Sequence, residues 1–165
     1  MHQAFLFLEE AAESGDVNIV NYVLNKFKSY DDLSPFSTFN YLIRGAAKKG
    51  DIEILSYVTK TFPKQEIRFD TLLEYAASKG QVDFLRAFIQ PENSKMLLKL
   101  LPSVIEILAY SENRDVQNPY TKEKTLRFLL DTYFSLGGKK KSFDIVPERE
   151  IEDKNTLHLF HEYGF

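Results

Sequence analysis

Small apolar residues recur along this chain in a fixed figure. Leu8, Ala11 and Ala12 stand at i, i+3 and i+4, as do Ile43, Ala46 and Ala47, and Leu73, Ala76 and Ala77. That spacing puts each trio on one face of a helix. The face is narrow, since a methyl group is all that an alanine places between its backbone and a neighbour, so a second helix can approach closely. A glycine follows each trio after the same interval, at Gly15, Gly50 and Gly80. Glycine accepts the left-handed conformation that ends many helices. Asp16 and Asp51 come next, where a carboxylate accepts from the free amides of a following helix. Gln81 holds that place in the third copy and is expected to cap less well. A second apolar stripe then runs through Val20, Val23, Leu24 and Phe27, through Leu55, Val58 and Phe62, and through Leu85, Phe88 and Ile89. Pro35, Pro63 and Pro91 lie beyond these stripes and punctuate the units.

The unit is therefore helix, glycine turn, helix and proline-marked loop, and it returns after 35 residues from Ala11 to Ala46 and after 30 from Ala46 to Ala76. Periods of this size signal a solenoid of stacked units. The second half keeps the pattern more loosely. Ile105, Leu108 and Ala109 repeat the trio, and Leu126, Leu129, Leu130 and Tyr133 repeat the second stripe. Between them an insertion at 111–121, SENRDVQNPYT, exceeds the usual turn, with Asn113 or Asn118 able to replace the glycine and the segment serving as a surface loop or a recognition finger. The end of the chain, Asn155 to Phe165, starts one more unit with Leu157, Phe160 and His161 in the trio positions. Bulky residues there suit a helix with nothing stacked beyond it, a terminal cap.

The phrases AAESGDVNIV, AAKKGDIEIL and AASKGQVDFL resemble the ankyrin repeat family, whose pattern is T-P-L-H-x-A-A-x-x-G-H-x-x-I-V-x-x-L-L. The resemblance implies an all-α, ankyrin-like solenoid of stacked helix-turn-helix repeats in one domain over residues 1–165. Its approximate units are 4–35, 36–64, 65–92, 93–138 and an incomplete cap at 150–165. The T-P-L-H stretch is replaced by LFLE, YLIR and TLLE, so the hairpin loops between units are expected to be poorly formed.

Composition narrows the class of partner. The 165 residues are 44% apolar and 27% charged, as in an ordinary folded chain of one domain. The net charge of -3 offers no general attraction to phosphate backbones or anionic lipid, which argues against nucleic acid. With no cysteine the chain has no disulfide, zinc-thiolate site or cysteine nucleophile, in keeping with a reducing compartment. The most apolar run, Met96 to Tyr110, holds Lys99, Pro102 and Glu106 and falls short of the roughly 20 residues a membrane span needs. The first residues lack a basic leader and reach Glu9 and Glu10 at once, unlike a signal peptide.

No constellation for catalysis emerges. His158 and His161, with Glu162, have a metal-like spacing but no third or fourth ligand. His158 falls instead on the histidine of the T-P-L-H stretch, where the family uses it for hydrogen bonding within the turn. Gly137 to Ser142 invites comparison with a phosphate loop, but the position five before Gly138 is Tyr133 and Lys140, not serine or threonine, follows Lys139. Lys139 to Lys141 reads as a solvated loop beside the acidic EREIED segment. No catalytic or metal-binding residue and no cofactor is nominated.

The resemblance implies non-catalytic binding of a partner protein through the concave face. It assigns to that face the variable positions between A-A and G, which are Glu13 and Ser14, Lys48 and Lys49, Ser78 and Lys79, with Glu10, Arg44 and Glu74 added from the helix upstream. The row starts acidic and becomes basic, so a partner of opposite gradient is steered into register. Neither Lys48 nor Lys49 is expected to serve helix packing. The expected chain is a cytoplasmic monomer that binds another protein, without nucleic acid or membrane insertion. Two further readings stay open: the recognition module of a larger bacterial or viral effector delivered into a host cytoplasm, and an enzyme with an unrecognised pocket.

Overall fold

Each alanine trio lies in the last turns of a helix that ends just before the glycine following it. In a computed structural model, which describes residues 2–27, 34–111, 119–144 and 151–165, α1 (His2–Glu13) turns at Gly15 into α2 (Val17–Phe27). Likewise α3 (Pro35–Lys49) turns at Gly50 into α4 (Ile52–Thr61), and α5 (Phe69–Ser78) turns at Gly80 into α6 (Val82–Phe88). The three glycines have φ of 78°, 75° and 70°, left-handed values at which a side chain would be strained. After Gly15 and Gly50 the next helix is capped as the sequence indicates. Asp16 accepts from the Asn18 amide at 2.7 Å and Asp51 from the Ile54 amide at 2.9 Å, whereas Gln81 makes no side-chain cap bond. Among the described residues the regular structure is entirely helical.

The chain divides into two compact units, Met1–Ala76 and Ala77–Phe165, with the division inside α5. In the first, α1 packs along α3, and each of the two also packs against the helix that follows it. Leu8, Ala12, Ala46 and Ala47 are fully buried, as the narrow-face argument requires. The closest approach comes at Gly45. A Cβ there would lie 2.2 Å from the Glu9 carbonyl oxygen and 2.7 Å from the Ala12 Cβ, so α3 fits against the α1 backbone only without a side chain at that place. Ser34 starts α3 by accepting from the Ser37 amide at 3.1 Å, and Pro35 takes the first helical position, where a missing amide is harmless. Pro35 therefore opens a helix and does not close the preceding unit.

In the second unit a short 3₁₀ turn (Pro91–Asn93) precedes α7 (Ser94–Tyr110), which packs against α8 (Pro119–Ser135). The apolar run of Met96 to Tyr110 is part of one continuous helix that passes through the buried Pro102. The stripe Leu126, Leu129, Leu130 and Tyr133 is buried as its spacing indicates. So is Lys122, at 2% exposure, whose Nζ donates to the carbonyls of Ala109 at 3.0 Å and Ser111 at 2.8 Å and closes the C-terminal end of α7. Burial pushes its pKa down, against a smaller opposing pull from Asp153. Among the described residues a second 3₁₀ turn (Lys140–Ser142) and α9 (Lys154–Glu162) follow.

The terminal helix differs from its sequence-based register. The trio Leu157, Phe160 and His161 is shifted by one residue. Thr156, Leu159 and Phe160 form the buried i, i+3, i+4 face, while Leu157 is half-buried and His161 exposed. The reason is the aromatic cluster beneath α9, where Phe160 meets Phe165 edge-on at 5.2 Å between ring centroids and Phe165 meets Phe143 at 5.1 Å. Phe143 in turn meets Tyr133 at 5.1 Å. Anchoring Phe160 in this cluster fixes which face of α9 turns inward. The Tyr133 ring occupies the space a Cβ on Gly138 would need, and its hydroxyl donates to the Lys139 carbonyl and accepts from the Lys139 amide, both at 3.1 Å.

Candidate protein-interaction surface

The 35-residue shift that carries Ala11 to Ala46 also carries Glu9 to Arg44, and the structure brings these two together. Glu9 is 5% exposed, and its carboxylate lies 3.2 Å from Arg44 Nε while accepting from Lys48 Nζ. Two cations of α3 therefore hold one nearly buried anion of α1. Arg44 is further fixed by aromatic faces. Its guanidinium lies 4.8 Å from the Tyr41 ring centroid and 4.5 Å from that of Tyr75, and Tyr41 stacks on Phe5 at 4.6 Å. The ammonium of Lys48 sits 5.5 Å from the Tyr75 ring. Cation–aromatic contacts contribute from about 0.5–1 kcal/mol each when exposed to about 2 kcal/mol when desolvated, and these half-buried ones lie between.

This arrangement sorts the nominated residues. Arg44 and Lys48 are committed to Glu9 and to the tyrosines, with side chains only 28% and 21% exposed. Lys48 thus departs from the expectation that it plays no part in packing, because it neutralises a carboxylate that has lost its water. Lys49 is exposed, as expected. Its stem crosses the α1–α2 turn, with Cε 3.4 Å from where a Cβ on Gly15 would stand. Ser14, also exposed, donates to the Ala11 carbonyl at 2.6 Å. Ser14 and Lys49 are therefore brought to one place by the turn at Gly15, with Glu13 half-buried one residue before.

Glu10 is exposed but sits in a different register from Arg44 and Glu74, whose counterpart on α1 is Glu9. The counterpart of Glu10 is Gly45, against which α1 packs. Glu74 is half-buried in the first unit, and Ser78 and Lys79 are half-buried in the second. Sequence reasoning missed Glu9, Tyr41 and Tyr75. The repeat register itself carried the signal for Glu9, since it aligns that acid with a basic residue one unit on.

Other sequence motifs have ordinary surroundings. The His158 side chain is 79% exposed and its Nε2 lies 3.5 Å from Glu162 on the same helix, so it does not bond within a turn as the family pattern implies. Among the described residues no three His, Asp or Glu side chains are grouped to hold a metal ion. Lys139 to Lys141 are exposed, with Lys140 donating to the Gly164 carbonyl at 3.0 Å. Asn113 and Asn118 of the insertion lie outside the described residues, as do residues 148–150 of the acidic segment. No helix among the described residues is long and apolar enough to cross a membrane.

No protein-family model, curated protein or solved structure matches the chain.

Proposed function

We propose that the chain is a non-catalytic protein-interaction module built from ankyrin-like helix pairs, and that within the first unit it binds through the C-terminal ends of α1 and α3. One observation carries this reading. A shift of 35 residues reproduces the scaffold, with buried apolar trio, left-handed glycine and aspartate cap, while the exposed residue directly before the glycine changes from Ser14 to Lys49. Repetition of the framework with variation at one outward position is the pattern of a surface adapted to a partner on a fixed support.

Lys49 is the residue that meets the partner first. Lys49 is exposed and, among the described residues, forms no ion pair, whereas Arg44 and Lys48 hold Glu9. The matching chemistry on the partner is an acidic side chain, which an exposed lysine attracts over about 8–10 Å at physiological salt. Capture from a cell lysate with wild-type protein and with Lys49→Glu tests the reading. Proteins retained by the first and lost from the second support it, and an identical set retained by both removes Lys49 from the site.

A further inference from the structure

The Glu9 contact occupies only part of the Arg44 guanidinium. Its Nε, closed to solvent, lies 3.2 Å from Glu9 Oε2, and the two attract by charge without a well-directed hydrogen bond. The position of the group over the Tyr41 and Tyr75 rings, 4.8 Å and 4.5 Å from their centroids, fixes it further. Neither restraint uses Nη1 or Nη2. Among the described residues these two atoms have no hydrogen-bond partner, and neither is closed to solvent. A surface arginine loses rotamer freedom when it holds a ligand. Arg44 is already held before a ligand arrives, so its open edge is set in place at little further cost in entropy.

We propose that the Nη edge of Arg44 receives one carboxylate of an aspartate or glutamate on the partner protein. The inference rests on the reading that this chain binds a protein, and it adds to Lys49 the contact that holds the partner once it has arrived. The planar edge matches a carboxylate, which it grips with two parallel hydrogen bonds. Local charge sets the ligand at one negative charge. Glu9 offsets one of the two positive charges of Arg44 and Lys48, which leaves one to be met. Glu13, one turn after Glu9, and Glu74, next to Tyr75, are half-buried and weigh against a doubly charged phosphoryl group. The half-buried rings of Tyr41 and Tyr75 exclude part of the water that weakens an exposed ion pair.

A phage-displayed library of random peptides, selected on the full chain, supplies the probe. Selected peptides are expected to carry an aspartate or glutamate whose replacement by asparagine or glutamine weakens binding about tenfold or more, read by calorimetry. Arg44→Lys keeps the charge and loses the fork. In that variant, shown folded by thermal unfolding, the same replacement is expected to cost several-fold less. If Arg44→Lys does not fold, the nitrogen resonances of the Arg44 guanidinium in isotope-labelled wild type decide, shifting with the acidic peptide and not with its amide counterpart. Peptides selected without an acid, an acid whose replacement costs as much in Arg44→Lys as in wild type, an unshifted guanidinium, tighter binding of the same peptide with phosphoserine in place of the acid, or no selected peptide at all overturns the inference. Lys49→Glu separates it from the reading on which it rests. Peptides coupled to Arg44 that bind Lys49→Glu as well as wild type support this inference and count against the role of Lys49. Peptides lost with Lys49→Glu but not coupled to Arg44 do the reverse.

Discussion

Glu9 of α1 lies 3.2 Å from Arg44 of α3 and is nearly closed to solvent. The pair joins the first two helix pairs, and Lys48 shares the same carboxylate. Its consequence is a division of labour between adjacent lysines that look alike in the sequence.

Replacing Glu9 by Gln leaves Arg44 and Lys48 half-buried beside each other without their anion. The loss is expected to be about 1–3 kcal/mol, below the range for fully buried pairs because both cations keep some solvent. Lys48→Glu sets a second carboxylate against Glu9 and is expected to destabilise by a similar amount. Lys49→Glu is expected to stay within about 0.5 kcal/mol of wild type. Urea unfolding of the three variants checks the order. Equal effects at Lys48 and Lys49 would show that the Glu9 contact contributes nothing to stability.

Gly45→Ala pits two terms against each other. Alanine favours a helix interior by about 1 kcal/mol over glycine, but its Cβ would stand 2.2 Å from the Glu9 carbonyl oxygen. Backbone cannot yield as a flexible side chain does, so overpacking wins and a net loss of about 1–3 kcal/mol is expected. A stabilised variant, read by thermal unfolding, would contradict the close approach.

Tyr163 donates to Asp131 at 2.5 Å, and burial together with that carboxylate holds its phenol up, to about 12 from an ordinary 10.0. The proton is retained in the folded chain after the unfolded chain has lost it. This contribution is therefore complete below pH 10, falls as the pH rises further and is gone above about 12. The chain has nine tyrosines. Subtracting the ultraviolet titration of Tyr163→Phe from that of wild type isolates this one, and Asp131→Asn is expected to move its midpoint down.

Lys122 has the opposite sign. Burial lowers its pKa below the ordinary 10.5, so the folded chain releases this proton before the unfolded chain does. Between the lowered value and 10.5, unfolding takes up a proton and this residue's contribution to stability rises with pH. Lys122→Met is expected to remove that rise, seen as a flatter dependence of the urea midpoint on alkaline pH.

The helices and their ends were legible wherever local chemistry decides them. The alanine trios, the three left-handed glycines, the two aspartate caps and the weak cap at Gln81 follow from residues within one turn of each other. Long-range packing was harder to read. Gly45 could have been singled out as a glycine in a helix interior, but its reason, the Glu9 backbone, lies in another helix. Tyr133, Phe143 and Phe165 come from three separate segments, and no period links them. Their cluster set the face of α9, which is why the trio there was displaced by one residue. Of the candidate surface, the exposure of Ser14 and Lys49 before the first two glycines was legible, while Lys79 before the third is half-buried and the commitment of Lys48 depends on a side chain 39 residues away.

The central claim is that Lys49 meets the partner while Lys48 holds the framework. The most direct measurement is the association rate of a captured partner with wild type and with Lys49→Glu, taken across a range of salt. Lys49→Glu is expected to slow association and flatten its salt dependence, weakening binding by roughly 1–3 kcal/mol with an unchanged unfolding temperature. A Lys49→Glu protein that binds with the wild-type rate and the wild-type salt dependence would contradict the claim.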